Sequence, residues 1–204
     1  MLFRNLFISS LFLLTAGTAS ALVEQGVTKY VNPFIGTGAV DQNSLMGNTF
    51  PGACVPFGLV QLSPDVKSKP TGHEPSGYDY SSNRIYGFSH THLSGTGCVD
   101  LLDVLVMPSS RSLDELSRTD DFSSTFSHAN EKASVGYYQV KLDEDGINAE
   151  MTATLRTGMH RYTYAAGKAS NLVFDMAHSG HWTRNISDAQ LRLIDPYTLA
   201  GYRI

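Results

Sequence analysis

No stretch of the 204-residue sequence is apolar for long enough to cross a bilayer. The best candidate, Leu6 to Leu14, falls well short of the roughly 20 residues a spanning helix needs. Positive charge is scarce as well: 15 Lys and Arg stand against 19 Asp and Glu, and the charges are dispersed. That argues against a nucleic-acid partner, because such a domain needs a basic face to displace counterions. Internal repeats and low-complexity tracts are missing, and 42% apolar residues suffice for the core of one domain. Cysteine is limited to Cys54 and Cys98. The two could form a bridge in an oxidising compartment, yet both sit beside Gly or Ala in apolar surroundings, where an unpaired Cys acts as a small buried hydrophobe.

What is present begins with a leader. Arg4, the apolar run and the small residues Ala19-Ser20-Ala21 have the pattern of a secretory signal peptide, residues 1–21, with cleavage expected before Leu22. Removing it takes away Arg4 alone, so the net charge moves from -4 to -5. Residues 22–204 are then expected outside the cell or in a bacterial periplasm. No Cys follows the small residues, so no lipid anchor is expected.

Period-two alternation dominates the second half. Ile147, Ala149, Met151, Ala153 and Leu155 alternate with polar neighbours, and so do Tyr138, Val140 and Leu142, with Asp143 to Gly146 as the turn between them. A third run, MHRYTY, and a fourth, Asn171 to Ala177, continue the pattern as a meander. Earlier, Val55 to Leu62 and Leu101 to Met107 read as short buried strands. A single short helix is predicted over Ser112 to Arg118, where Ser112 and Glu115 form a capping box. Many short strands with Gly and Pro between them point to a mostly β, antiparallel β-sandwich. The final PYTLAGYRI reads as a strand without a closing turn, so the sandwich is expected to be incomplete at its C-terminus.

The chemistry-bearing stretch is GFSHTHLSGTGC, Gly87 to Cys98. On an extended strand His90 and His92 would face one side, and two imidazoles could reach one divalent metal. A zinc site needs a third ligand, and His73, His128, His160, His178 and His181 lie in other segments. A buried hydrogen-bonded pair and a sugar- or partner-binding pair remain alongside the metal reading. Leu93 to Gly97 lacks the Lys of a phosphate loop, so it suits close backbone approach and hydroxyl contacts from Ser94 and Thr96. No nucleophile elbow accompanies Ser94, His90 and Asp103. Tyr78, Tyr80, Tyr86 and Trp182 offer faces on which sugar rings stack or cores pack, and Asn185-Ile186-Ser187 is a glycosylation sequon.

VNPFIGTG (31–38), TFPGACVPFGLVQLSPD (49–65), SGYDY (76–80), IYGFSHTHLSGTGC (85–98) and FSHANEKASVGYYQV (126–140) together resemble the N-terminal domain of glycoside hydrolase family 92, calcium-dependent exo-α-mannosidases. The resemblance implies a supersandwich-like N-terminal domain, residues 22–204, truncated before a C-terminal (α/α)6 catalytic barrel that is its partner. It implies inverting removal of terminal α-linked mannose, α-1,2 being the expected linkage, from N-glycans or mannan. Inversion uses two carboxylates roughly 6.5 to 9.5 Å apart. The resemblance puts both in the barrel with the calcium ligands, so no catalytic residue and no metal ligand is assigned in this chain. Tyr86, His90, His92, Ser94 and Thr96 are the expected substrate-binding residues on the cleft rim. The alternative is a stand-alone carbohydrate-binding module without catalysis.

Overall fold

A computed structural model describes residues 26–38, 47–66, 76–98, 100–180 and 186–204. The predicted signal peptide, His73, His181, Trp182 and Asn185 of the sequon lie outside the described residues. In chain order the elements are β1 (Ala53–Cys54), β2 (Gln61–Asp65), β3 (Arg84–Ile85), β4 (Gly87–Ser89), β5 (Leu105–Ser109), α1 (Leu113–Leu116), β6 (Ser124–Thr125) and β7 (Glu131–Ser134). There follow β8 (Tyr137–Leu142), β9 (Ile147–Ala153), β10 (Gly158–Thr163), β11 (Asn171–Asp175), β12 (Ala189–Asp195) and β13 (Thr198–Arg203).

Two sheets form the expected sandwich. One is five-stranded in the order β1-β2-β4-β5-β11, the other four-stranded in the order β10-β9-β8-β7, and every pairing is antiparallel. The β8–β9 hairpin has the predicted register, Leu142 opposite Ile147 and Tyr138 opposite Met151. Its inward residues Tyr138, Val140, Leu142, Ile147, Ala149 and Met151 are buried against Leu62, Phe88 and Met107 of the other sheet. Each such side chain contributes on the order of 1.5–3 kcal/mol by leaving water. The hairpin turn also ties the sheets: Asp145 Oδ1 accepts from Ser109 Oγ at 2.9 Å and from the Ser110 backbone N at 2.6 Å. The capping box predicted at Ser112 and Glu115 is present, but the helix is one turn, Leu113–Leu116.

Four expectations need correction. Val55 to Leu62 is not one strand, because Val55 O accepts from Gly58 N at 3.0 Å across a Pro56-Phe57 turn, with Phe57 at φ 59°. An apolar run therefore conceals a reversal set by Pro56. Leu101 to Met107 is extended only from Leu105, since Leu101, Leu102 and Val104 have φ of 66°, 59° and 59°, a geometry no strand propagates. The fourth run leaves the meander: β11 crosses to the other sheet and pairs with β5, Asn171 opposite Ser109. Cys54 and Cys98 are unbridged, and Cys98 is exposed rather than buried.

The predicted cost of hollowing the core is direct. Leu62→Ala should lower unfolding free energy by about 2–5 kcal/mol in urea titrations. A loss under about 1 kcal/mol would mean that the sheets do not pack as described.

Candidate functional site

Strand alternation sends Leu62 into the core and Gln61, Ser63 and Asp65 to the opposite face of β2. Asp65 is completely buried there. Its Oδ1 lies 3.0 Å from His92 Nε2 and its Oδ2 lies 2.9 Å from His178 Nε2. The far nitrogen of His92 is 2.5 Å from the Gln61 carbonyl, Ser89 Oγ is 3.1 Å from Nε2, and the Phe50 ring packs against the imidazole. Burial alone would push the Asp65 carboxyl up, but hydrogen bonds from His178 and His92, with their charges, hold it at about 2. Burial pushes His178 down, and the bond to Asp65 and its negative charge outweigh this, leaving it raised. Gly77 closes the cluster at φ 82°, where any Cβ would lie 2.4 Å from Asp65 Oδ1. Only glycine fits that approach.

His178 also reaches an open cleft of about 550 Å³ beside β5 and β11. Leu105, Met107, Val173 and Phe122 give it an apolar wall; Tyr86, Asp120, Asp121 and Asp175 give it polar groups. Asp175 Oδ1 accepts from the backbone N of Ala177 at 2.8 Å and of His178 at 3.1 Å, which sets the entry of the histidine. Tyr86 is fixed through its backbone N, which donates to Asp65 O at 2.8 Å.

The five predicted rim residues stand in different surroundings. Tyr86 lines the cleft. His92 is sealed in the Asp65 cluster, contrary to a rim position, because Asp65 supplies a buried partner that water cannot rival. His90 turns elsewhere, with Nδ1 2.8 Å from Val104 O and Nε2 3.0 Å from His160 Nε2. His90 and His92 therefore share no ligand position. Ser94 and Thr96 stand on an exposed loop with Gly95 and Gly97 at φ 76° and 68°. Thr96 Oγ1 donates to Cys98 O at 3.0 Å, so that hydroxyl is spent within the loop. Sequence reasoning missed Asp65 and His178, whose partners lie 27 and 113 residues apart and leave no local signal.

Among the described residues, every carboxylate with a resolved shift is pulled down: Asp65, Glu115, Asp121, Glu150 and Asp195. A general acid requires the opposite. Buried Glu131 is likewise committed, accepting from Tyr138 Oη at 2.6 Å and Tyr78 Oη at 2.9 Å. Calcium takes 6–8 oxygen ligands, and Asp65, Glu131 and Asp145 already accept from His, Tyr and Ser donors. These three do not form a calcium cage.

The pH dependence follows from the signs. Asp65 is lowered from 3.8 to about 2, so its stabilisation is complete above 3.8 and is lost as pH falls towards 2, on the order of 2 kcal/mol. His178 is raised above 6.5, so its contribution is complete below 6.5 and is lost as pH rises through the raised value. Asp65→Asn should cost about 3–5 kcal/mol near pH 6 and flatten both limbs, as read by denaturant titration at several pH values. A variant as stable as the parent, with the same pH profile, would remove the cluster from the account.

Comparisons with known proteins agree with the architecture. The description "Glycosyl hydrolase family 92 N-terminal domain" matches residues 30–204. The solved family GH92 α-mannosidase BT3965 from Bacteroides thetaiotaomicron is 39% identical with a TM-score of 0.76, covering 86% of this chain and 23% of that one. The GH92 family glycosyl hydrolase ccman5 is 30% identical with a TM-score of 0.63, covering 81% and 22%. An uncharacterized secreted glycosidase from Arthroderma benhamiae is 29% identical over 157 residues, 74% of this chain and 19% of that protein. This chain thus spans about a fifth of the length of these relatives. From the two-sheet sandwich and the match over nearly its whole length, the chain belongs to the N-terminal domain family of glycosyl hydrolase family 92.

Proposed function

We propose that this domain serves a secreted exo-α-mannosidase, contributing carbohydrate contacts and the rim of an active-site cleft completed by a C-terminal (α/α)6 barrel. The observation that carries this division of labour is the match of residues 30–204 to the N-terminal domain of the family, with this chain covering only 23% of a solved family GH92 α-mannosidase. Within the chain, the buried Asp65, Glu131 and Asp145 carboxylates accept from internal donors. Inverting hydrolysis needs one carboxylic acid and one carboxylate base facing each other across the bond. On this reading the barrel supplies both, together with the ligands of a calcium ion. The cleft bearing Tyr86, and the exposed loop of Ser94 and Thr96, are the surfaces this chain offers to mannose-containing glycans. Solved relatives described as α-mannosidases support the substrate class, and the secreted glycosidase relative supports export.

The test is mannose release from α-1,2-, α-1,3- and α-1,6-linked mannobioses. The full-length protein should release mannose with calcium, α-1,2 first, and lose that activity on chelation. Residues 22–204 alone should release none. Turnover by the shorter chain would contradict the proposal.

A further inference from the structure

His90 follows β4 in one sheet and His160 lies on β10 in the other, so their contact bridges the sandwich. Their Nε2 atoms are 3.0 Å apart, with ring centroids 4.8 Å apart and planes inclined by 45°. The outer nitrogen of each ring is already held. His90 Nδ1 donates to the Val104 carbonyl at 2.8 Å, which leaves the lone pair on Nε2. Val104 presents that carbonyl from φ 59°, a costly backbone for a β-branched residue. His160 Nδ1 lies 2.7 Å from Tyr162 Oη. With neutral rings one proton fills the gap: Tyr162 O–H donates to His160 Nδ1, and His160 Nε2–H donates to His90 Nε2.

A hydroxyl accepts as readily as it donates. If the His160 proton moves from Nε2 to Nδ1, the Nδ1–H donates to Tyr162 Oη, whose own O–H rotates away from the ring. Both Nε2 lone pairs are then free, and no net proton leaves. Each ring would then donate its other N–H to an oxygen, the outer-shell pattern of metal-ligating histidines. The spacing of the hydrogen-bonded pair bears on the choice of ion. Two nitrogens about 2.0–2.1 Å from one metal lie about 2.9 Å apart at a right angle and about 3.3 Å apart at the tetrahedral angle. The observed 3.0 Å matches cis positions of a square-planar or octahedral ion. Gly158 makes room for the arrangement, since a Cβ there would lie 3.0 Å from His90 Cδ2.

We propose that His90 and His160 form a two-histidine site for Cu(II) or Ni(II), with water in the remaining positions. Among the described residues no third His, Cys, Asp or Glu joins these two in a group able to hold a metal ion, so water fills the rest of the shell. Both histidines are half-buried, so the site keeps an opening to solvent. A bound ion would fasten the two sheets to each other.

The test titrates the whole chain with Ni(II) by calorimetry and with Cu(II) by EPR, the latter in a Cys98→Ser background to remove the exposed thiol. One equivalent should bind, the Cu(II) spectrum should show two coordinated nitrogens, and Ni(II) should raise Tm by several degrees. His90→Asn keeps a donor for Val104, and His160→Gln keeps a donor for His90. Each should abolish the two-nitrogen signal and the Tm shift while retaining the parent's near-UV circular dichroism. Tyr162→Phe should weaken binding about tenfold. Stoichiometric binding unchanged in both histidine variants, a single-nitrogen spectrum, or no binding by the folded parent chain would each overturn the site.

Discussion

A carboxylate sealed from water must be neutral or paired, and Asp65 is paired twice. The constraint reaches far along the chain, because Asp65 on β2 takes its two partners from the segment after β4 and the segment after β11. His92 and His178 are drawn inward by that charge, and Gly77 is required to let the backbone pass its oxygen. The last strand is bound to the same region. Arg203 donates to the His178 carbonyl and to Asp103 Oδ1, while Asp103 Oδ2 accepts from Thr91 Oγ1 at 3.1 Å. A second sealed carboxylate, Glu131, organises Tyr78, Tyr138 and His128 in the same manner. Buried polar clusters paired in this way fix one arrangement of a core that apolar packing alone would leave less specified.

The parts of the fold that were legible in the sequence are those governed by short-range rules. The β8–β9 hairpin follows from alternation across a four-residue turn, and the cap of α1 follows from two residues three apart. Long-range choices were not legible. The run at Asn171 has the same period as its predecessors, yet it finds its partner at Ser109 in the opposite sheet. The run at Leu101 has a strand-like composition, but three of its first four residues adopt positive φ. Composition carries no record of such backbone strain. The ordered family motifs did carry the architecture, and the sandwich agrees with them.

The site shows the same division. Pairing His90 with His92 assumes an extended backbone through both, and β4 ends at Ser89. Beyond that point each imidazole is claimed by a partner distant in sequence, His92 by Asp65 and His90 by His160. Tyr86, between β3 and β4, lines the cleft beside β5 and β11. Ser94 and Thr96 were readable as a loop because Gly95 and Gly97 alternate with them. On the proposed reading, these surfaces make the domain a shaped partner, rigid behind and polar in front, and leave the proton transfers to the barrel.

The central claim is that Asp65 is ionised inside the protein and held so by two histidines. Carbon-detected NMR of the Asp65 carboxyl through an acid titration measures this directly. The account predicts a resonance that stays at its ionised position well below pH 3.8, with a midpoint at about 2. A midpoint at or above 3.8 would contradict it.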